Sequence, residues 1–290
     1  MDQHLNVFIQ VVENRNFSRA AEALHMSQPA VSQYIQSLEK ELGTKLLERT
    51  NKYVEVNKAG NIVYQYAKKI SRNYEQMRVL VSDLKNKPSG ELKIGASYTI
   101  GEYLLPQILA QLQFQYPDII PIVSIGNTED IGKKLIQHEI DIGLIEGEFS
   151  HPQIQAKDFW TDEMYIISSS RQPLLIRTYK DLEKQTWIIR EEGSGTRKML
   201  ERFFESYHIS PARLITLGST QIIKEGVESG LGISLLSDLT FKKELELDRI
   251  VKLDVEGTPI RRQFFIIKNH HEFHSKAFQV FENLVMSWLD

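Results

Sequence analysis

Three stretches of the 290-residue sequence place hydroxyls and glycines where a strand gives way to a helix: Ser97-Tyr98-Thr99-Ile100-Gly101, Gly126-Asn127-Thr128 and Glu192-Gly193-Ser194-Gly195-Thr196-Arg197. The first turn of a helix carries unpaired N–H groups and partial positive charge, so such junctions suit a phosphate, a sulfur oxyanion or a carboxylate. Each one alone is also what an ordinary N-cap looks like. Three at corresponding points of one alternating pattern are harder to dismiss as caps alone. The sharpest is Gly193 to Arg197, where the glycines let a ligand approach the backbone and Arg197 supplies charge; it is too short for a dinucleotide fingerprint or a Walker loop.

Other chemistries find less support. There is no cysteine, which excludes disulfide scaffolds, thiolate zinc sites and thiol catalysis. His270, His271 and His274 lie close together without an HExxH pairing, and read as part of a solvated connection before the last helix rather than as a metal site. Asp141 and Glu146 could be imagined as paired carboxylates, but their strand position points to packing. No GxSxG elbow occurs. The expectation is a binding protein and not an enzyme, with no catalytic residue, metal or cofactor.

The elements that must position these junctions alternate. Strands are predicted at residues 92–96, 119–125, 141–145, 186–190, 214–217 and 233–236, and helices at 103–115, 128–137, 196–207 and 220–228, which predicts an α/β fold with parallel strands. The N-terminal region is different. Leu5, Phe8, Ile9 and Val12 recur at helical spacing; Asn14-Arg15-Asn16 breaks that helix; Ser18 is read as the cap of a short helix over 19–24. Ser27 caps a third helix, with Pro29 in its first turn and Gly43 at its end. Val31, Ile35, Leu38 and Leu42 form its inward stripe, which leaves Gln28, Ala30, Ser32, Gln33 and Gln36 as an exposed, uncharged, amide-rich set. A helix-turn-helix needs such a face, since its second helix enters the major groove with N-terminal side chains at base edges, but an ordinary helical hairpin with a solvated polar face has the same spacing.

The segments Phe17-Ser-Arg-Ala-Ala-Glu-Ala-Leu24, Ser27-Gln-Pro-Ala-Val-Ser-Gln33, Leu38-Glu39, Leu42-Gly43 and Leu46-Leu47-Glu48-Arg49 resemble the helix-turn-helix signature of LysR-type transcription regulators. Val54 to Gly60 is similar to the family's wing and the start of its linker helix, with Lys52 where Arg is frequent and Asn57 where Thr is usual. The resemblance implies DNA contacts from Ser18, Arg19, Ser27, Gln28, Pro29, Ala30, Ser32, Gln33, Gln36, Arg49 and Lys52. Beyond it, Val63, Ile70, Met77 and Leu84 fall seven apart, with Tyr66, Asn73 and Leu80 between them, a heptad pattern. A lone helix packed on its own body would look similar, but the resemblance favours a coiled-coil pair. The C-terminal part resembles the LysR effector domain, similar to periplasmic solute-binding proteins. Ile94-Gly-Ala-Ser97, Gly126-Asn127-Thr128, Asp141 to Gly147 and Gly193 to Arg197 resemble the branch that controls sulfur-oxyanion assimilation and carbon fixation. That implies an effector such as sulfite, sulfate or a phosphorylated metabolite, held by Ser97, Tyr98, Thr99, Asn127, Thr128, Glu146, Gly193, Ser194, Gly195, Thr196 and Arg197.

The expected architecture is an α-helical winged helix-turn-helix domain (1–58) and a long linker helix (59–89), joined to a two-lobed α/β, periplasmic-binding-protein-like effector domain (90–290). Lobe one takes 90–160 and 267–290, and lobe two 161–266. Charge agrees in direction: residues 1–87 hold 13 Lys+Arg against 9 Asp+Glu, and the remainder 22 against 29. With no run of about eighteen apolar residues and no signal-like N-terminus, a cytoplasmic protein is expected. Its expected partners are promoter or operator DNA, the effector, itself as dimer or homotetramer, and RNA polymerase, with activation as its expected output. The competing reading is a solute-binding or transferase module carrying an unrelated helix-turn-helix.

Overall fold

The structure, a computed structural model, describes residues 2–49, 54–83, 87–172, 174–270 and 273–288; Lys52, Leu84 and His271 lie outside them, and so does the Arg49 side chain. The chain forms two compact units, Met1–Lys85 and Asn86–Asp290.

In the first unit, α1 (Gln3–Asn14) is capped by Asp2, whose carboxylate accepts from His4 N at 2.8 Å, and Arg15 ends it in the left-handed region at φ 49°. α2 (Phe17–Ala23) follows at once. Its cap is Asn16 rather than Ser18: the Asn16 side-chain oxygen accepts from Ser18 N and Arg19 N at 2.8 and 3.1 Å, so the helix begins two residues earlier and Ser18 is one of the groups being capped. α3 (Gln28–Glu41) has Ser27 as its cap and Pro29 in its first turn. Val31, Ile35 and Leu38 pack with Val7, Phe8, Val11, Ala20 and Ala21 into the core. Leu42 does not join the stripe: the helix stops at Glu41, and Leu42 caps it 45% exposed before the turn at Gly43 (φ +68°). The fourth buried position of α3 is instead Glu39.

The antiparallel hairpin of β1 (Leu47–Arg49) and β2 (Val54–Val56) forms the wing, and Glu39 holds its base. The Glu39 carboxylate accepts from Leu46 N at 2.9 Å and Leu47 N at 3.5 Å, and pairs with Lys45 Nζ at 2.7 Å. Burial opposes ionisation of Glu39, but the Lys45 ammonium and the two amides outweigh it and hold the carboxyl below its ordinary range. A depressed folded-state value means stabilisation that is present at neutral pH and lost as pH falls through the carboxylate range. Glu39→Gln should lower the stability of this unit by about 1–3 kcal/mol, and chemical denaturation should show the gap from wild type closing on acidification. α4 (Lys58–Asp83) starts where Asn57 accepts from Gly60 N and donates to Lys45 O, both at 2.8 Å.

The second unit alternates β3 (Gly90–Ser97), α5 (Tyr98–Tyr103), α6 (Leu105–Gln115), β4 (Ile119–Gly126), α7 (Thr128–Ile136) and β5 (Ile142–Glu146). After β6 (Ile154–Ser169) come α8 (Tyr179–Glu183), β7 (Thr186–Arg190), α9 (Gly195–Ser206), β8 (Arg213–Leu217), α10 (Thr220–Glu228) and β9 (Ser234–Ser237). α11 (Lys242–Glu246), β10 (Ile250–Lys252), β11 (Ile260–Asn269) and α12 (Lys276–Met286) complete it. β3 is parallel to β4 and β5, and β7 to β8. The helix expected over 103–115 is α6, which starts two residues later with Pro106 in its first turn, where a missing N–H costs little; the short α5 before it was not expected.

The parallel alternation is only part of the fold. β6 and β11 pair antiparallel with each other over ten residues, and β11 also pairs antiparallel with β5, β6 with β9 and β10. These two long strands tie the lobes together. Phe159, Phe264 and Ile266 enter the core of lobe one with Leu92, Ile142 and Phe281, whereas Met164 and Ile166 enter that of lobe two with Trp187 and Leu235. The expected lobe boundaries, 160/161 and 266/267, fall inside β6 and β11.

Candidate effector cleft and DNA-reading surface

The three junctions meet, and what they meet on is Glu146, at the end of β5. Its carboxylate accepts from Thr99 N at 3.0 Å and Thr196 Oγ1 at 2.9 Å, while its carbonyl accepts from Thr128 Oγ1 at 2.9 Å. Gly195 lets α9 start there, since a Cβ at that position would collide with the Glu146 carbonyl. Thr99 and Thr128 belong to lobe one and Thr196 to lobe two, so an internal carboxylate occupies the point where the helix N-termini converge. Asp141, just before the other end of the strand, accepts from Lys93 N at 2.8 Å.

Glu146 is balanced from β11. Arg262 donates to Glu146 Oε2, to Asp162 Oδ2 at 2.7 Å, and to Thr196 Oγ1 and Thr99 Oγ1 at 2.9 and 3.3 Å; Asp162 also accepts from Ser237 Oγ at 2.7 Å. All three charged groups are buried. Burial resists ionisation of Glu146, but Arg262 and the Thr99 and Thr196 donors bring its carboxyl below the ordinary range. For Asp162 burial prevails over Arg262 and Ser237, and its carboxyl is pushed up. Arg262 and Asp162 face each other directly across the β6–β11 ladder.

Beside this knot, the buried Arg190 guanidinium grips Glu191 with two bonds of 2.7 Å, donates to Thr220 Oγ1 at 3.2 Å and lies 4.5 Å from the Tyr98 ring centre. Asn127, the cap of α7, donates across the lobes to Glu191 Oε1 and Glu192 O at 3.3 Å, and Glu129 N donates to Gly193 O at 3.2 Å. Gly193 stands at φ +84°, where a side chain would be strained. Ser194 caps α9; Ser97 Oγ is buried with no partner among the described residues. Arg197 turns away to Glu201 (2.6 Å) and the Arg190 carbonyl. Arg190, Asp162, Arg262 and Lys224, which is buried against Glu244 at 2.6 Å, are residues that sequence reasoning did not single out. The available signal was a lone charge at the end of an apolar strand run, as in Trp187-Ile188-Ile189-Arg190.

On α3, Gln28, Pro29, Gln33 and Gln36 are exposed and Ala30 and Ser32 half-buried, with Gln28 Nε2 donating to Ser32 Oγ at 2.9 Å. Ser18, Arg19 and Ser27 are also exposed. Residues 3–61 match the bacterial regulatory helix-turn-helix protein, lysR family, and residues 85–290 the LysR substrate binding domain. The chain belongs to the LysR family. It is a LysR-type transcriptional regulator with an effector-binding domain. HTH-type transcriptional regulator CysL of Bacillus subtilis is 39% identical over 98% of this chain and 96% of its own length. The RuBisCO operon transcriptional regulator of Allochromatium vinosum is 33% identical over 98% and 95%. These relatives agree with the sulfur and carbon-fixation branch that the cleft motifs resemble. Among solved structures, the Synechocystis CcmR regulatory domain in complex with 2-PG is similar at TM-score 0.64 and 25% identity, covering 69% of this chain and 97% of that one.

The α4 surface carries a row of apolar side chains. Ile62, Tyr66, Ile70, Met77 and Val81 are between 47% and 62% exposed. Val63, expected in this row, packs against the first unit's core, and Ile62 takes the outward position. No described helix is long and apolar enough to cross a membrane, and no described group of three or more His, Asp or Glu could hold a metal ion.

Proposed function

We propose that this LysR-family chain binds operator DNA as a dimer or tetramer joined through α4, and that a small oxyanion seated between the lobes sets its output. The carrying observation is the meeting of junctions from both lobes around one buried seam that keeps an unpartnered Ser97 hydroxyl and a buried Arg190 beside it. The 2-PG complex of the CcmR regulatory domain supports this reading. A ligand touching both lobes has different affinities for their different arrangements, which is the requirement for control. Sulfite, sulfate and phosphorylated metabolites are the candidate class; activation through RNA polymerase, in the cytoplasm with the DNA, is the proposed output.

Thermal unfolding with sulfite, sulfate or 2-PG should show saturable stabilisation by at least one of them. Ser97→Ala and Ser194→Ala should each weaken that binding by about 1–3 kcal/mol, the worth of a hydrogen bond to a charged group, with little loss of stability for Ser97→Ala. Unchanged calorimetric affinity in both would exclude the seam. For DNA, Gln28→Ala, Ser32→Ala or Gln33→Ala should cost about 1–3 kcal/mol of specific binding where a base contact is lost. Mobility shifts that retain full selectivity in all three would overturn the α3 face.

A further inference from the structure

Four buried or half-buried cations described at the lobe seam already have carboxylates: Arg190 holds Glu191, Arg197 holds Glu201, Lys224 holds Glu244, and Arg262 holds Glu146 and Asp162. An external oxyanion therefore gains one of these cations only by displacing a resident anion. Displacement is least costly where the cation cannot reach water and its carboxylate can, because the released carboxylate recovers hydration while the cation stays compensated. Arg190 and Glu191 meet that condition, at 1% and 28% side-chain exposure. Arg262 and both its carboxylates are buried together, and Arg197 is itself part-hydrated.

We propose that Arg190 reads the charged group of the effector and that Glu191 is a resident carboxylate which the effector displaces. This rests on the cleft reading above and names the exchange by which the cleft is filled. The Arg190 fork is held in place by Tyr98 on its face and Thr220 at its edge, and it presents to Glu191 the two-pronged geometry that a phosphate, sulfite or carboxylate accepts equally well. Glu191 also accepts from Asn127 of lobe one. Its departure breaks that bridge between lobes, so an incoming oxyanion that takes both donors replaces an internal clasp by an external one. Glu191 thereby sets selectivity: neutral ligands cannot displace it, and a doubly charged oxyanion competes better than a single carboxylate.

The test uses full-length protein and inorganic phosphate as the probe, titrated at constant ionic strength against sodium chloride. Glu191→Gln keeps the size of the side chain and an oxygen for Asn127 but leaves Arg190 without a counter-charge. Its thermal midpoint should rise saturably with phosphate, with half-saturation at least about tenfold below that of wild type. Glu191→Asp, which keeps the charge but draws it back from the fork, should fall between them, and carries the comparison if Glu191→Gln does not fold. Equal phosphate dependence in wild type and the variants overturns the proposal, as does a response that survives in the Glu191→Gln/Arg190→Gln double variant. Failure of wild type to respond to sulfite, sulfate and 2-PG would count against the effector reading, while the phosphate response of the variants remains separately measurable.

Discussion

Arg262→Ala should destabilise the effector domain by about 3–5 kcal/mol, the cost of leaving buried partners of a removed charge uncompensated. Glu146 and Asp162 would then sit together in the interior without their shared cation, and the Thr99 and Thr196 hydroxyls would lose a donor. The pH dependence should move toward greater stability in acid. In wild type the depressed Glu146 carboxyl contributes stability that is lost as pH falls, while the raised Asp162 carboxyl acts in the opposite direction. Without Arg262 both carboxyls are raised above their unfolded values, so stability is greatest in acid and is lost as pH rises through the raised values. Denaturation of the variant from pH 8 down to about 5 should show recovery, since protonating one carboxyl removes the repulsion. A variant as stable as wild type at neutral pH, or one that weakens further in acid, would show that the knot is not held by charge.

Replacing both Ile70 and Met77 by Glu should separate the α4 pair and remove tight operator binding. These side chains lie in the exposed apolar row of α4, and a carboxylate in a helix–helix seam meets its own copy. Two reading heads on one operator bind with an effective concentration that a lone head lacks, so affinity should drop by about 10²–10⁴-fold. Sedimentation should report a monomer with unchanged α/β circular dichroism, and mobility shifts should report only weak, salt-sensitive binding. A double variant that stays dimeric through α4 would place the seam on another face.

The sequence patterns that proved readable were those with local causes. The strand over 186–190 and the helix over 220–228 coincide with β7 and α10, because an apolar run is bounded on each side by a cap or turn residue that acts within a few positions. β6 and β11 were not legible. β6 intersperses Lys157, Asp158, Asp162 and Glu163 among its apolar residues, and Asp162 is buried only because Arg262, a hundred positions away, neutralises it. The junctions were legible as strand-to-helix turns, but not that Glu146 fills their meeting point, since that depends on three loops brought together by the sheet. Asn16 displaced Ser18 as a cap and Ile62 displaced Val63 on the outer face of α4, each a shift of one or two residues that only packing decides.

The ladder between β6 and β11 also constrains what movement is open to the lobes. Ten residues are paired from Ile260–Met164 to Asn269–Ile154, with one irregularity between Phe264 and Phe265. Bending this ribbon within its own plane would slide one strand along the other and tear hydrogen bonds, whereas winding it about its own length keeps them. Such a joint would act as a torsion bar, resisting in-plane bending more than twist, with its ladder interrupted at the bulge. Effector occupancy would be passed on as torque of small amplitude, and the strength of the response would depend on how tightly those two strands are already wound.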